Sequence, residues 1–256
     1  MTWLRSALFN VWFYGVTVVM AVSSLGMRVV APNRAMSWAR TWARLVIAGL
    51  WPLCRIRVAV SGLENLPADE PALIASQHQS AFDTMLWLTL IPNTAYVLKK
   101  ELLRIPLFGD MCRRTGMIAV DRGAGGAAIR ALLRGADAAV AARRTIVIFP
   151  EGTRAHPGAP LPLQPGIAAL ASRTGLPVIP VVTDSGKCWG RRAFRKNAGV
   201  IHVVIQPPLP ARMEREALLR TLEQRFAEGT TDLDKLVDNS VGAPFRSLRA
   251  SRRNAT

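Results

Sequence analysis

The sequence predicts an α/β protein with a largely parallel central sheet flanked by helices, preceded by N-terminal membrane-associated helices. Short apolar runs recur along the chain with helix-like segments between them. Those runs carry few polar residues, as parallel strands covered on both faces require. An uncharged apolar stretch fills the N-terminus.

That stretch covers residues 6–27, between Arg5 and Arg28, and is long enough to span a bilayer core of ~30 Å. Trp3, Trp12, Phe13 and Tyr14 suit a headgroup interface. A second apolar run, residues 45–54, is too short to span and is interrupted by Pro52; the link between the two is basic and carries Trp38 and Trp42. A cleaved signal peptide and a buried core helix compete with a membrane-attached helical pair. The further membrane-like sequence up to Arg57 favours the pair.

A strand and a turn follow, and then the alternation begins. Strands are expected at 71–76, 95–99, 116–120, 145–149, 177–182 and 200–205, with helices at 83–90, 126–142 and 164–174. In "RMEREALLRTLEQRF", Leu218, Leu219, Leu222 and Phe226 share one face of an amphipathic helix. The expected organisation is a membrane-associated region over 1–60, an α/β domain over 61–240 and a basic mobile tail over 241–256.

The 256 residues carry a net charge of +16, with arginine far outnumbering lysine. Such charge fits phosphate-rich partners: an anionic membrane, phosphorylated small molecules or nucleic acid. The three cysteines, Cys54, Cys112 and Cys188, are scattered and odd in number, which argues against a disulfide framework or a zinc site. In "VDRGAGGAA", Gly123, Gly125 and Ala128 match the outline of a dinucleotide fingerprint, with Glu151 as a distant acid. Asp121 and Arg122 intervene between strand and glycines, and Gly/Ala-rich segments meet so loose a pattern by chance.

Two segments carry more chemistry. In "SQHQSAFD", residues 76–83, a strand runs through a polar turn into a helix. His78 and Asp83 would be about 140° apart on one continuous helix, so His78 belongs in the turn and Asp83 in the first helical turn. Ser80 with Asp83 also fits a helix-capping pattern with Ser80 as N-cap, which leaves an ordinary histidine beside a helix start as the alternative. In "IVIFPEGTR", residues 146–154, Pro150 stops a buried strand, and Glu151, Gly152 and Arg154 follow at its carboxyl end, where open α/β sheets bind ligands. Gly152 permits close backbone approach and Arg154 offers a fork of donors for phosphate; a surface turn with a Glu151–Arg154 ion pair is the plain alternative.

Taken together, "HQSAFD", "KKELLRIPLFG", "GMIAVDR", "FPEGTR" and "LPVIPVV" stand in the order of the glycerolipid acyltransferase family, and the chain resembles its 1-acylglycerol-3-phosphate acyltransferases (PlsC-like) from about residue 61 to 206. The resemblance implies the glycerol-phosphate acyltransferase fold and transfer of a fatty acyl group from acyl-CoA or acyl-carrier protein to the sn-2 hydroxyl of 1-acylglycerol 3-phosphate. It implies His78 as general base with Asp83 as its orienting carboxylate, Lys99 and the Gly152 amide as oxyanion donors, and Arg122, Glu151 and Arg154 at the substrate phosphate. Imidazole suits base work near neutral pH, and such a pair needs no protein nucleophile. No metal and no cofactor beyond the acyl donor is implied. The expected partners are a lysophospholipid acceptor, the acyl donor and an anionic membrane, with no nucleic acid. The expected location is the cytoplasmic face of the inner (plasma) membrane. Another lyso-lipid acceptor, such as a lyso-ornithine lipid, and a basic membrane- or nucleic-acid-binding protein without turnover stay open as alternatives. The sequence departs from the family pattern at Gln77, where asparagine is common, and at Gln164-Pro165, where a phenylalanine-lysine pair is frequent.

Overall fold

The computed structural model describes residues 1–67, 70–159 and 162–240, with side chains through 235; the basic tail expected over 241–256 lies outside the described residues. Helix α1 (Thr2–Val30) contains the uncharged stretch. Its mean hydropathy over the most apolar window is 1.6, long and apolar enough to cross a membrane, and only 11% of that window is buried. A core helix would be mostly covered. Here Leu8, Val11, Tyr14, Val18, Val22 and Leu25 are exposed, while Ser6, Phe9, Ser24 and Met27 face the body.

Helix α2 (Ala35–Ala48) doubles back along α1 and short α3 (Leu50–Cys54) follows. Three indole N–H groups staple the pair: Trp12 donates to the Leu45 carbonyl, Trp38 to the Met20 carbonyl and Trp42 to Thr17 Oγ1. The turn between α2 and α3 falls at Gly49 rather than at Pro52. A Cβ at Gly49 would stand 2.5 Å from the Trp12 ring, so the indole can lie there only on glycine. Pro52 sits in the opening turn of α3, where its missing N–H leaves no bond unmade.

The sheet strands are β1 (Ile56–Ser61), β2 (Leu73–Ser76), β3 (Thr94–Lys99), β4 (Ile118–Val120), β5 (Thr145–Ile148), β6 (Val178–Thr183) and β7 (Gly199–Ile205). They lie in the order β1-β7-β6-β2-β5-β3-β4, parallel throughout except for the antiparallel β6–β7 pair. The central strands β2, β5 and β6 are buried at every position, as their unbroken apolar sequences require.

Helices cover both faces. On one, Phe9 of α1, Ala43 and Val46 of α2, and Met85 and Trp87 of α4 (Phe82–Leu90) pack on the sheet. On the other lie Leu132 and Ala136 of α6 (Gly126–Ala141), Ile167 and Leu170 of α7 (Gly166–Thr174), and Leu222 and Phe226 of α9 (Arg215–Ser240). Two short helices, α5 (Phe108–Arg114) and α8 (Ser185–Cys188), had no periodic signature of their own. The membrane-like helices and the sheet thus share one apolar core, and α1 is fixed to the sheet domain as well as exposed along its outer side.

Candidate active site

β2, β5, β3 and β4 are adjacent and parallel, so their carboxyl ends open on one edge of the sheet. His78 lies two residues past β2, Glu151 three past β5, Lys99 closes β3 and Arg122 lies two past β4. The register that pairs Ala75 with Ile148 carries His78 opposite Glu151. The His78 amide donates to Glu151 Oε2 at 2.8 Å, and the Ala155 amide donates to the His78 carbonyl at 2.7 Å. The two motif loops are therefore tied through main-chain groups of His78, independently of its side chain.

The His78 ring stacks on Phe149, with centroids 4.1 Å apart. Its Nδ1 lies 3.0 Å from Asp83 Oδ2, and Arg154 Nε donates to its Nε2 at 3.3 Å. An ionised carboxylate can only accept and a guanidinium only donate. The proton must then sit on Nδ1, leaving the lone pair on Nε2. Asp83 Oδ2 also accepts the amides of Gln79 and Ser80, each at 2.8 Å, which fixes the carboxylate under the ring. The expectation that Ser80 is the helix N-cap is corrected here. Helix α4 starts at Phe82, one residue after Ala81, and Ser80 Oγ accepts from the Phe82 amide at 3.1 Å. The side chain that reaches back to the preceding amides is Asp83, so this carboxylate organises the turn and orients the histidine at once.

Gly152 occupies the left-handed region at φ +71°, and a Cβ there would come within 3.2 Å of Gln164 Cγ. Its amide donates to the Phe149 carbonyl at 3.0 Å, and its carbonyl accepts from Arg122. The Gly152 amide, expected at an oxyanion, is here donated within the turn that Pro150 and Gly152 build. Lys99 is exposed at the end of β3, and its ammonium forms no hydrogen bond among the described residues. Glu151 is 7% exposed, and its carboxylate meets the His78 amide. Arg122 reaches the same loop from β4, while Pro180 lies buried within β6. At the departures from the family pattern, Gln77 takes the Thr183 amide on its Oε1 and donates to Thr230, and Gln164 donates its amide to the Pro150 carbonyl.

Sequence reasoning missed the supports. Gln79 accepts the Gly186 amide of α8 at 3.1 Å, which sets the loop from Trp189 to Asn197 beside the site. The run "GRRAFRK" was the available signal for that loop.

The matched family model is that of acyltransferases and covers residues 57–184. The 1-acyl-sn-glycerol-3-phosphate acyltransferase of Pseudomonas aeruginosa is 33% identical over 230 residues, 87% of each chain. The human 1-acyl-sn-glycerol-3-phosphate acyltransferase alpha is 32% identical over 171 residues, 65% of this chain and 60% of the human one. The chain belongs to the acyltransferase family. The crystal structure of the 1-acyl-sn-glycerophosphate (LPA) acyltransferase PlsC from Thermotoga maritima matches with a TM-score of 0.75 at 23% identity, over 96% of this chain and all of that one. Its shared fold is the mostly parallel sheet with flanking helices described above.

Within this acyltransferase, burial pushes the Glu151 carboxyl up to about 7, with the charge of Asp83 adding to the rise and the His78 amide opposing it. A raised carboxyl stabilises the fold when protonated, so its contribution is complete below about pH 4.5 and is lost as pH climbs to about 7. Glu151→Gln keeps an acceptor for the His78 amide without the charge. Chemical denaturation of both proteins is expected to show the variant gaining on the wild type by roughly 3 kcal/mol between pH 4.5 and 8. Parallel stability profiles would contradict the burial of this carboxyl.

Proposed function

We propose that this acyltransferase moves a fatty acyl group from acyl-CoA or acyl-carrier protein to the sn-2 hydroxyl of 1-acylglycerol 3-phosphate, forming phosphatidate. The observation that carries the reading is the His78 ring, held between Asp83 and Arg154 with its lone pair on Nε2 at the sheet's carboxyl edge. The acceptor hydroxyl binds at Nε2 and attacks the thioester carbonyl; as its oxygen–carbon bond forms, its proton passes to Nε2. Asp83 stabilises the imidazolium, which then protonates the departing thiolate. Lys99 supplies positive charge for the tetrahedral oxyanion. Arg122 and Arg154 receive the acceptor's phosphate, and Glu151 acts beneath them by holding the His78 loop.

Nothing in this scheme requires an acyl-enzyme, a metal or a cofactor other than the acyl donor. The cysteines are poor nucleophiles: all three are buried, and burial pushes Cys112 up to about 11 and Cys188 up to about 12. Residues 1–60 serve as the membrane-associated region, with α1 and its exposed apolar side in an anionic bilayer and the site on the cytoplasmic face. The test is labelled acyl-CoA and labelled acyl-carrier protein, supplied in parallel to the detergent-solubilised protein with lysophosphatidate. Phosphatidate from either donor is the expected product; none from both would overturn the reading.

A further inference from the structure

His78 Nε2 has one lone pair, and Arg154 Nε occupies it. An acceptor hydroxyl cannot deliver its proton to a nitrogen already serving as an acceptor, so Arg154 must leave before the base can work. The bond to be broken is weak, at 3.3 Å between a guanidinium and a neutral ring, whereas a guanidinium on a phosphate makes short, charge-assisted and often bidentate bonds. In lysophosphatidate the phosphorus is four bonds from the sn-2 oxygen, about 5 Å away with bonds near 1.5 Å. The phosphate therefore arrives beside Arg154 whenever the hydroxyl arrives at Nε2. The phosphates of CoA lie at the far end of the pantetheine arm, roughly 15 Å or more from the thioester when extended, and do not meet this condition.

A second feature says where Arg154 goes. Helix α8 packs beside the site, with Gly186 against Gln79 and Pro157. The loop that follows is pinned by Lys196, whose Nζ donates to Asn10 Oδ1 and to the carbonyls of Ala193 and Phe194. Its backbone amide donates to Ser6 Oγ of α1. This fixed loop holds Arg191 and Arg192, both exposed and without an ion-pair partner among the described residues. Burial is the main influence lowering the Arg154 pKa and Asp83 opposes it; Arg191 and Arg192 add smaller lowering contributions, so both lie within electrostatic reach of its guanidinium. Like charges alone keep Arg154 from moving towards them; a phosphate between the three removes that barrier.

We propose that Arg154 is a mask on the catalytic base that the acceptor's phosphate removes: without an anion it covers His78 Nε2, and a phosphate held with Arg191 and Arg192 draws it off. Recognition of the head group is thereby coupled to uncovering of the base, and an acceptor without phosphate is rejected in turnover as well as in binding. This rests on His78 as the base of the proposed transfer.

The test compares lysophosphatidate with 1-monoacylglycerol, which has the hydroxyl but no phosphate. Wild type is expected to favour lysophosphatidate about 10³-fold in kcat/KM. Arg154→Ala is expected to lose about 10²-fold with lysophosphatidate yet to raise kcat with monoacylglycerol several-fold, because the base is open. Arg191→Gln/Arg192→Gln is expected to raise the KM for lysophosphatidate about tenfold without improving the neutral acceptor. Equal losses on both acceptors in a folded Arg154→Ala protein overturn the mask. Arg154→Met, which keeps much of the length but has no donor for Nε2, stands in if the alanine variant does not fold, and it too must gain with monoacylglycerol.

A readout independent of turnover is the nitrogen NMR signal of His78 Nε2. Inorganic phosphate, which has no sn-2 hydroxyl, is expected to shift it in wild type and to leave it unchanged in the Arg154 variant. If wild type makes no phosphatidate but the shift appears, the acceptor assignment fails and the mask survives. If phosphatidate forms and no shift appears, the mask fails and the function stands.

Discussion

His78→Ala is expected to lower kcat for acyl transfer to lysophosphatidate by about 10³–10⁴-fold, with kcat/KM falling in parallel. The reasoning starts from what the truncation leaves intact. The His78 amide still donates to Glu151 and its carbonyl still accepts from Ala155, so the two motif loops remain joined. Asp83 keeps the amides of Gln79 and Ser80. What disappears is the ring on Phe149 and the Nε2 lone pair. The loss should therefore fall on the chemical step, measurable by steady-state kinetics on a variant whose circular dichroism matches the wild type. A folded His78→Ala protein retaining a tenth of the wild-type kcat would remove the base from the mechanism.

Asp83→Asn is expected to cost about 10²–10⁴-fold in kcat and, unlike the histidine change, to weaken the fold by roughly 1–3 kcal/mol. One oxygen of Asp83 accepts from the His78 ring and from two backbone amides, and the residue is 2% exposed. An asparagine oxygen in that place still accepts, but carries no charge to stabilise the imidazolium. Turned the other way, its NH2 faces two amide donors and favours the wrong histidine tautomer. Unfolding in denaturant and kcat, measured on the same preparation, separate the two effects. Full activity in a destabilised variant would make Asp83 a scaffold for the turn and nothing more.

The alternation of apolar runs and helical segments made the sheet legible, because parallel strands buried on both faces leave uninterrupted apolar stretches such as "TIVI" and "VIPVVT". The His78–Asp83 and Glu151–Arg154 neighbourhoods were legible as short patterns at strand ends. The donor sense inside those patterns was not. Ser80 looked like the cap, yet the longer reach of Asp83 took the turn's amides; the partner of the Gly152 amide, the Phe149 carbonyl, follows from the tight turn after Pro150. Such choices depend on which backbone groups fold against each other, and spacing does not contain them. The same holds for the antiparallel β6–β7 pair and for Lys196, one of several charges in a basic run, which the fold alone singles out for burial as the link between α1 and the loop beside the site.

The most direct test of base-assisted transfer is to mix wild-type protein with labelled acyl donor, with and without lysophosphatidate, quench within one turnover and separate protein from lipid. Direct attack by the acceptor predicts label in phosphatidate when the acceptor is present and no label bound to protein in either case. Stoichiometric labelled protein formed without acceptor, and chased into phosphatidate when it is added, would contradict it and make a side chain of this enzyme the nucleophile.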